Sequence, residues 1–188
     1  MNTSTPDHIA DSELLENFYN SKDNQWLGYL LQRYTLLLLG VCMKYLKNEE
    51  EAKDTVQQIF LKVITELQKY RVDYFKSWLY MIARNQCLMR LRDKQGKTPR
   101  ELTDNLLLKE QDSNIAELAE KDVLLTAMEK ALQELNGEQK TCVTLFYLQK
   151  KSYHEISDQT GLTLLQVKSH IQNGKRNLKL LVEKKIKV

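Results

Sequence analysis

Ser152-Tyr153-His154-Glu155-Ile156-Ser157-Asp158-Gln159-Thr160-Gly161-Leu162-Thr163-Leu164-Leu165-Gln166-Val167-Lys168-Ser169-His170-Ile171-Gln172-Asn173-Gly174-Lys175-Arg176 is the stretch that decides the fold. It carries two capping boxes, Ser152 with Glu155 and Thr163 with Gln166. In each, a hydroxyl accepts from the backbone N–H three residues on, and the longer side chain reaches back to the first N–H. Thr160-Gly161-Leu162 between them leaves room for two helical turns, a sharp change of direction and a fresh helix. Beyond Thr163, Val167, Ile171, Leu178 and Leu181 fall near helical spacing, and Gln166, Lys168, Ser169, Gln172, Asn173, Arg176 and Lys179 are left outside. The pattern is a helix-turn-helix. Its outer face suits DNA, since Arg or Lys pairs with guanine edges, Gln or Asn with adenine edges, and both with phosphates. A solvated helix at the rim of a bundle fits the same face, because polar outer faces are common. The paired boxes and the turn favour the DNA reading.

Upstream the pattern stays helical. A helix is expected from about Asp11 to Tyr19, capped by Asp11 or Ser12, and a second from about Asn24 to Leu46, apolar over most of its circumference and so central to a bundle. Asn48 before Glu49, Glu50 and Glu51 is a strong helix start. The third helix repeats Val56, Ile59, Phe60, Val63, Ile64 and Leu67 on one stripe, with Asp54, Gln57, Gln58 and Leu61 off it. Tyr70 to Lys76 breaks the period as a loop, and Ser77 is placed to cap a fourth helix running to about Leu91. From Arg92 to Asn114 the pattern dissolves into a linker, with Leu106-Leu107-Leu108 as a candidate docking segment. Helical spacing returns near Ile115 and stops at Asn136-Gly137, before a helix over roughly Glu138 to Leu148.

The expectation is an all-α chain of two small helical domains, residues 1–93 and 115–188, joined by a flexible linker over 94–114. Composition agrees: of 188 residues only 6 are Gly and 2 Pro. The net charge of +3 is unevenly spread, with −4 over residues 1–68, +4 over 69–93, −3 over 94–136 and +6 over 137–188. Two basic blocks flanking an acidic stretch offer two places for a polyanion. Cys42, Cys87 and Cys142 are too few and scattered for a disulfide framework or a zinc site, so no metal or cofactor is expected. A reducing cytoplasm fits best, and Met1 to Ser12 lacks the order of a signal peptide. The longest apolar run, Leu36 to Met43, is eight residues, short of the roughly 20 that cross a bilayer, and no membrane insertion is expected.

With these residues in order, the chain resembles the extracytoplasmic-function (ECF) sigma factors, a compact two-domain class of RNA polymerase specificity subunits in the sigma-70 family. The C-terminal half resembles region four of that family. The N-terminal half resembles region two through Tyr45-Leu46, Asp54, Gln57 and Phe60, Trp78-Leu79-Tyr80, Ala83-Arg84-Asn85 and Leu91-Arg92. The likeness covers about residues 12–93 and 118–182. It implies three sets of contacts. Asp54, Gln57, Gln58 and Leu61 would dock on the clamp helices of the largest subunit of core RNA polymerase. Tyr74, Phe75, Lys76, Arg84 and Asn85 would hold the melted strand of the "minus ten" element, where aromatic faces stack on bases and cations meet phosphates. Gln166, Lys168, Ser169, Gln172 and Arg176 would read the duplex "minus thirty-five" element. Trp78 is expected in the core because of its helical position. An anti-sigma factor is a further partner common for the class. Met89 stands where the family commonly has an acid, and Gly174 interrupts the recognition helix at a cost of roughly 1 kcal/mol relative to Ala.

Catalysis would belong to the polymerase, and no catalytic residue is expected here. Two other readings stay open on the sequence. A free-standing helix-turn-helix regulator would bind duplex DNA tightly without polymerase. A helical enzyme would have to use His154 beside Glu155, with no nucleophile or metal pair to accompany them.

Overall fold

The computed structural model describes residues 9–94 and 115–187, all of its regular structure helical. The expected linker over 94–114 therefore lies, apart from Lys94, outside the described residues. Four helices, α1 (Asp11–Ser21), α2 (Asn24–Leu46), α3 (Glu49–Leu67) and α4 (Phe75–Lys94), share one apolar core that runs from Leu14 to Cys87. Helix α2 is the centre of this bundle and packs on α1, α3 and α4. At 23 residues it is also long and apolar enough to cross a membrane, although its longest uninterrupted apolar run is short. Its apolarity is accounted for by burial, since Leu27, Leu30, Leu31, Tyr34, Leu38, Cys42, Met43 and Leu46 all face neighbouring helices.

Local signals explain most boundaries. Asn48 caps α3 by accepting from Glu51 N–H at 2.9 Å, with three acids in the first turn where the helix dipole favours them. Asp23 caps α2 in the same way. The start of α1 differs from expectation: Ala10 is its N-cap and no side chain caps it. Asp11 instead turns toward α2, taking an ion pair from Arg33 at 2.8 Å and a short hydrogen bond from the Tyr34 hydroxyl.

The second cluster is built from α5 (Ile115–Glu134), α6 (Gly137–Val143) with a π-helical turn Thr144–Leu148, α7 (Tyr153–Thr160) and α8 (Leu164–Ile186). Asn136 caps α6, accepting from Gln139 N–H at 2.8 Å. The single helix expected over Glu138 to Leu148 thus ends in a wider turn, closed by Gln149 N–H to Thr144 C=O at 3.2 Å. Cys142, Leu145, Ile156, Val167 and Ile171 form the small core that fixes α7 against α8. Gly174 is buried there, because a Cβ on it would lie 2.6 Å from Val143 Cγ2. The glycine permits α8 to close on α6. It faces inward, toward Val143 and Gln139.

The two clusters touch. Helix α5 packs on both α8 and α4, and the π turn lies against α2. Gly40 of α2 admits Leu148, whose Cα would be 3.2 Å from a Cβ at position 40.

Candidate nucleic-acid interface

Both capping boxes form. Ser152 Oγ accepts from Glu155 N–H and Glu155 Oε2 from Ser152 N–H; Thr163 Oγ1 accepts from Gln166 N–H and Gln166 Oε1 from Thr163 N–H at 2.9 Å. Gly161 ends α7 with φ 72, the left-handed region where a Cβ is strained, and its N–H donates to Ser157 C=O at 2.9 Å. Ser157 Oγ donates to Leu162 C=O at 2.6 Å and pins the turn. Ile156 and Val167, both fully buried, lock the two helices together, so the outer face of α8 is set by the core beneath it.

That face is a stripe of Leu165, Lys168, Ser169, Gln172, Asn173 and Arg176, all exposed, at spacings of three and four residues. Asn173 Nδ2 donates to Ser169 Oγ at 3.2 Å across one turn of it. Lys168, Lys175 and Arg176 have no acidic partner among the described residues, whereas Lys179 lies 3.8 Å from Glu183. Of the five residues expected to read duplex DNA, Lys168, Ser169, Gln172 and Arg176 share this stripe. Gln166 is also exposed, three residues before Ser169 at the edge of the same stripe, with its side-chain oxygen held by Thr163 in the capping box. Sequence reasoning missed Leu165, which is 78% exposed at the head of the stripe. Its position three residues before Lys168 was the available signal; its apolar type argued the other way.

The loop before α4 and the first turns of α4 make the second surface. Tyr19 and Glu16 of α1 brace the loop: Val72 N–H donates to the Tyr19 hydroxyl at 3.1 Å, and the Arg71 guanidinium sits 4.9 Å over the Tyr19 ring and 3.2 Å from Glu16. Burial raises the Tyr19 pKa, with the Val72 N–H and Arg71 opposing it. Tyr74 is half-buried and Arg84 exposed. Phe75 was expected on a stacking surface and is instead the first residue of α4, 5% exposed, with its ring 5.7 Å from Tyr34 and 6.0 Å from Trp78. The loop ends two residues earlier than the broken period suggested, and the aromatic side chain closes the bundle there. Trp78 is in the core, 9% exposed. Asn85 Nδ2 is buried and has no hydrogen-bond partner among the described residues.

Ser77 was expected to cap α4. It lies inside the first turn, 1% exposed, and the capping acceptor is Asp122 of α5, which takes Ser77 N–H at 3.1 Å. Lys76 is likewise engaged, its Nζ 2.5 Å from Glu129 Oε2 and 3.9 Å from Asp11 Oδ2.

On α3 the four residues expected to meet polymerase lie along one exposed face. Asp54 is 3.6 Å from the Arg90 guanidinium, Gln58 accepts from Gln86 at 3.2 Å, Gln57 is exposed, and Leu61 is 67% exposed.

Residues 30–97 match sigma-70 region 2, and residues 125–178 match sigma-70 region 4. The chain is similar to the ECF RNA polymerase sigma factor SigE of Mycolicibacterium smegmatis, 28% identical over 70% of this chain and 52% of that protein, so the match spans about half of that relative's length. It is 25% identical to the ECF RNA polymerase sigma factor SigW of Bacillus subtilis over 84% of this chain and 89% of that protein. The RNA polymerase sigma-H factor of Pseudomonas aeruginosa is 24% identical over 86% of this chain and 88% of its own. Region two on a four-helix bundle, region four on a helix-turn-helix with an open basic face, and relatives matched across both halves lead to one conclusion: the chain belongs to the sigma-70 family, in its ECF class of RNA polymerase sigma factors.

Proposed function

We propose that the chain works as an alternative sigma factor, binding core RNA polymerase and directing it to a particular set of promoters. The carrying observation is the open stripe of α8, a cationic and amide-bearing face held out from a core that has no other use for it. On this reading Lys168, Ser169, Gln172 and Arg176 read the "minus thirty-five" duplex, with Leu165 adding an apolar contact beside them. The face of α3 that bears Gln57 and Leu61, with Asp54 and Gln58 at its side, docks on the clamp helices of the largest polymerase subunit. Tyr74, Lys76, Arg84 and Asn85 receive the melted strand of the "minus ten" element, and Phe75 supports them from within. Residues 1–93 then form the polymerase- and strand-binding domain and residues 115–188 the duplex-binding domain.

The protein performs no covalent chemistry in this scheme; polymerase supplies it, in the cytoplasm. An anti-sigma factor is a further partner consistent with the class. Because several cations meet phosphates, promoter affinity falls steeply with salt. The test mixes the purified chain with sigma-free core polymerase and a promoter library, then maps RNA start sites. New start sites sharing a common upstream sequence are the expected result. Failure to associate with core, or an unchanged set of starts, would remove the reading. Tight sequence-specific duplex binding without polymerase would favour a free-standing regulator instead.

A further inference from the structure

We propose that Cys42 of α2 and Cys87 of α4 are a redox pair: in the folded chain a hydroperoxide closes them into a disulfide that ties the central helix of the N-terminal bundle to the helix carrying Arg84 and Asn85. Nothing in this pairing depends on the DNA- and polymerase-binding roles given above.

The two thiols lie far apart in the sequence and meet only through the fold. Helices α2 and α4 pack on each other, and Cys42 and Cys87 are both free thiols fully buried in the same core. The Cys42 S–H donates to the Cys87 sulfur, so the two side chains face one another across the helix contact. A bond between them brings sulfurs already in contact to about 2.05 Å, a small adjustment between helices that are packed beforehand. Beside the pair stands Arg90, one turn on from Cys87 and a quarter exposed, with Nη1 donating to Thr55 Oγ1 at 3.1 Å and Nη2 3.6 Å from Asp54.

The surroundings give the two sulfurs different tasks. The hydrogen bond from Cys42, with the Arg90 charge adding to it, holds the Cys87 thiol below its usual range against the opposing effect of burial. Cys42 is pushed up, first by the hydrogen bond it donates and then by burial. Cys87 is therefore the nucleophile and Cys42 the resolving thiol. The Cys87 sulfur attacks one peroxide oxygen, the O–O bond breaks, and the departing hydroxide takes up the Cys87 proton as water. The sulfenic acid left on Cys87 is then attacked by the Cys42 sulfur; its S–O bond breaks, and the hydroxyl leaves with the Cys42 proton as a second water. Two thiols are oxidised, one peroxide is reduced, and dithiothreitol reverses the bond. In a reducing cytoplasm such a bond is transient, which suits a sensor better than a permanent staple.

Cys142 is the internal reference. It is equally buried, but in the C-terminal cluster, where burial raises its pKa and Glu138 adds to the rise, and no second cysteine adjoins it among the described residues.

The test treats the full native chain with hydrogen peroxide, counts thiols after denaturation and maps the peptides. Loss of two of the three thiols is expected, with a Cys42–Cys87 bridge, Cys142 still free, and full recovery in dithiothreitol. The bridge closes a loop of about 45 residues, so the urea midpoint of the N-terminal bundle is expected to rise by roughly 1 M on oxidation. Cys42→Ala and Cys87→Ala should each abolish both the bridge and the rise. Three surviving thiols in the parent chain overturn the pair, as does a bridge that forms only in urea or equal loss of Cys142. An oxidised bundle whose midpoint does not rise overturns the tie between α2 and α4.

Discussion

Gly174 of α8 lies so close to Val143 of α6 that a methyl group at position 174 would stand 2.6 Å from Val143 Cγ2. Propensity alone says that Gly174→Ala stabilises the helix by about 1 kcal/mol. Packing reverses the sign. Val143 is 4% exposed and has no room to step aside, and Gln139 Cβ at 3.3 Å closes the other flank. Overpacking of this kind costs about 1–3 kcal/mol, so Gly174→Ala is expected to lower the urea midpoint of the C-terminal cluster. A raised midpoint would show that α6 and α8 can separate without loss.

Phe75 and Tyr74 are neighbours with separable roles. Phe75 fills the core between Tyr34 and Trp78, and its truncation to Ala is expected to cost about 3–5 kcal/mol of stability, as for other buried aromatics. Tyr74 is half-buried in the loop. Tyr74→Ala is expected to leave unfolding nearly unchanged and to weaken single-strand DNA binding in the polymerase complex by about 1–3 kcal/mol, the worth of one stacked base. Paired unfolding and binding curves decide it. A Tyr74→Ala protein that binds strands as well as the parent takes that residue out of the surface.

Glu155 gives the helix-turn-helix a pH dependence of known sign. The Ser152 backbone N–H and then its hydroxyl hold the Glu155 carboxyl below the usual carboxylate range. A carboxyl depressed on folding contributes stability that is present above its unfolded value of about 4.3 and is lost as pH falls through the folded value. The first turn of α7 is therefore expected to be indifferent near neutrality and to loosen only in acid. Amide exchange of Glu155 and Ile156 followed through the acid range checks this, with Glu155→Gln, which keeps an acceptor but cannot ionise there, abolishing the dependence. Acid-independent exchange in the parent chain would mean that the carboxylate does not hold the cap.

What the sequence made legible was local. Both capping boxes, the Asn48 start of α3 and the inner stripe from Val56 to Leu67 depend on residues within one or two turns of each other, and spacing alone specifies them. Phe75, Ser77 and Gly174 escaped because their environments come from distant segments: Tyr34 for the first, Asp122 for the second, Val143 for the third. The charge pattern announced an acidic segment between two basic ones but carried no information about which surface it would cover. Gln166 carries two signals at once, since its amide oxygen accepts from Thr163 in the capping box while its side-chain NH2 stays a donor on the exposed face.

Leu61 on α3 is 67% exposed amid polar neighbours, a poor place for a leucine unless a partner covers it. An apolar centre with Gln57, Gln58 and Asp54 around it has the anatomy of a docking patch. Leu61→Asp is expected to leave the unfolding transition in place, because the side chain is mostly in solvent. Association with core polymerase is expected to weaken by at least about tenfold, as for a central interface residue. Equal retention of parent and variant on immobilised core would place the docking surface elsewhere.

Leu165 is the sharpest point on the recognition helix. It stands in the first turn of α8, 78% exposed, on the same stripe as Lys168, Ser169 and Gln172, and first-turn residues of a recognition helix approach base edges most closely. A leucine there can offer no hydrogen bond. The feature of the major groove that rewards an apolar side chain is the thymine methyl group. The expected outcome is therefore a promoter preference for thymine at one "minus thirty-five" position, lost when that thymine is replaced by uracil, which keeps every hydrogen-bonding group and removes only the methyl. In Leu165→Ala the same replacement is expected to have no effect, whereas in Lys168→Ala the discrimination between thymine and uracil persists while overall affinity falls. Start-site strength measured on the paired templates separates the two roles. A parent protein that treats thymine and uracil alike at every position would show that Leu165 contacts the sugar-phosphate backbone or nothing at all.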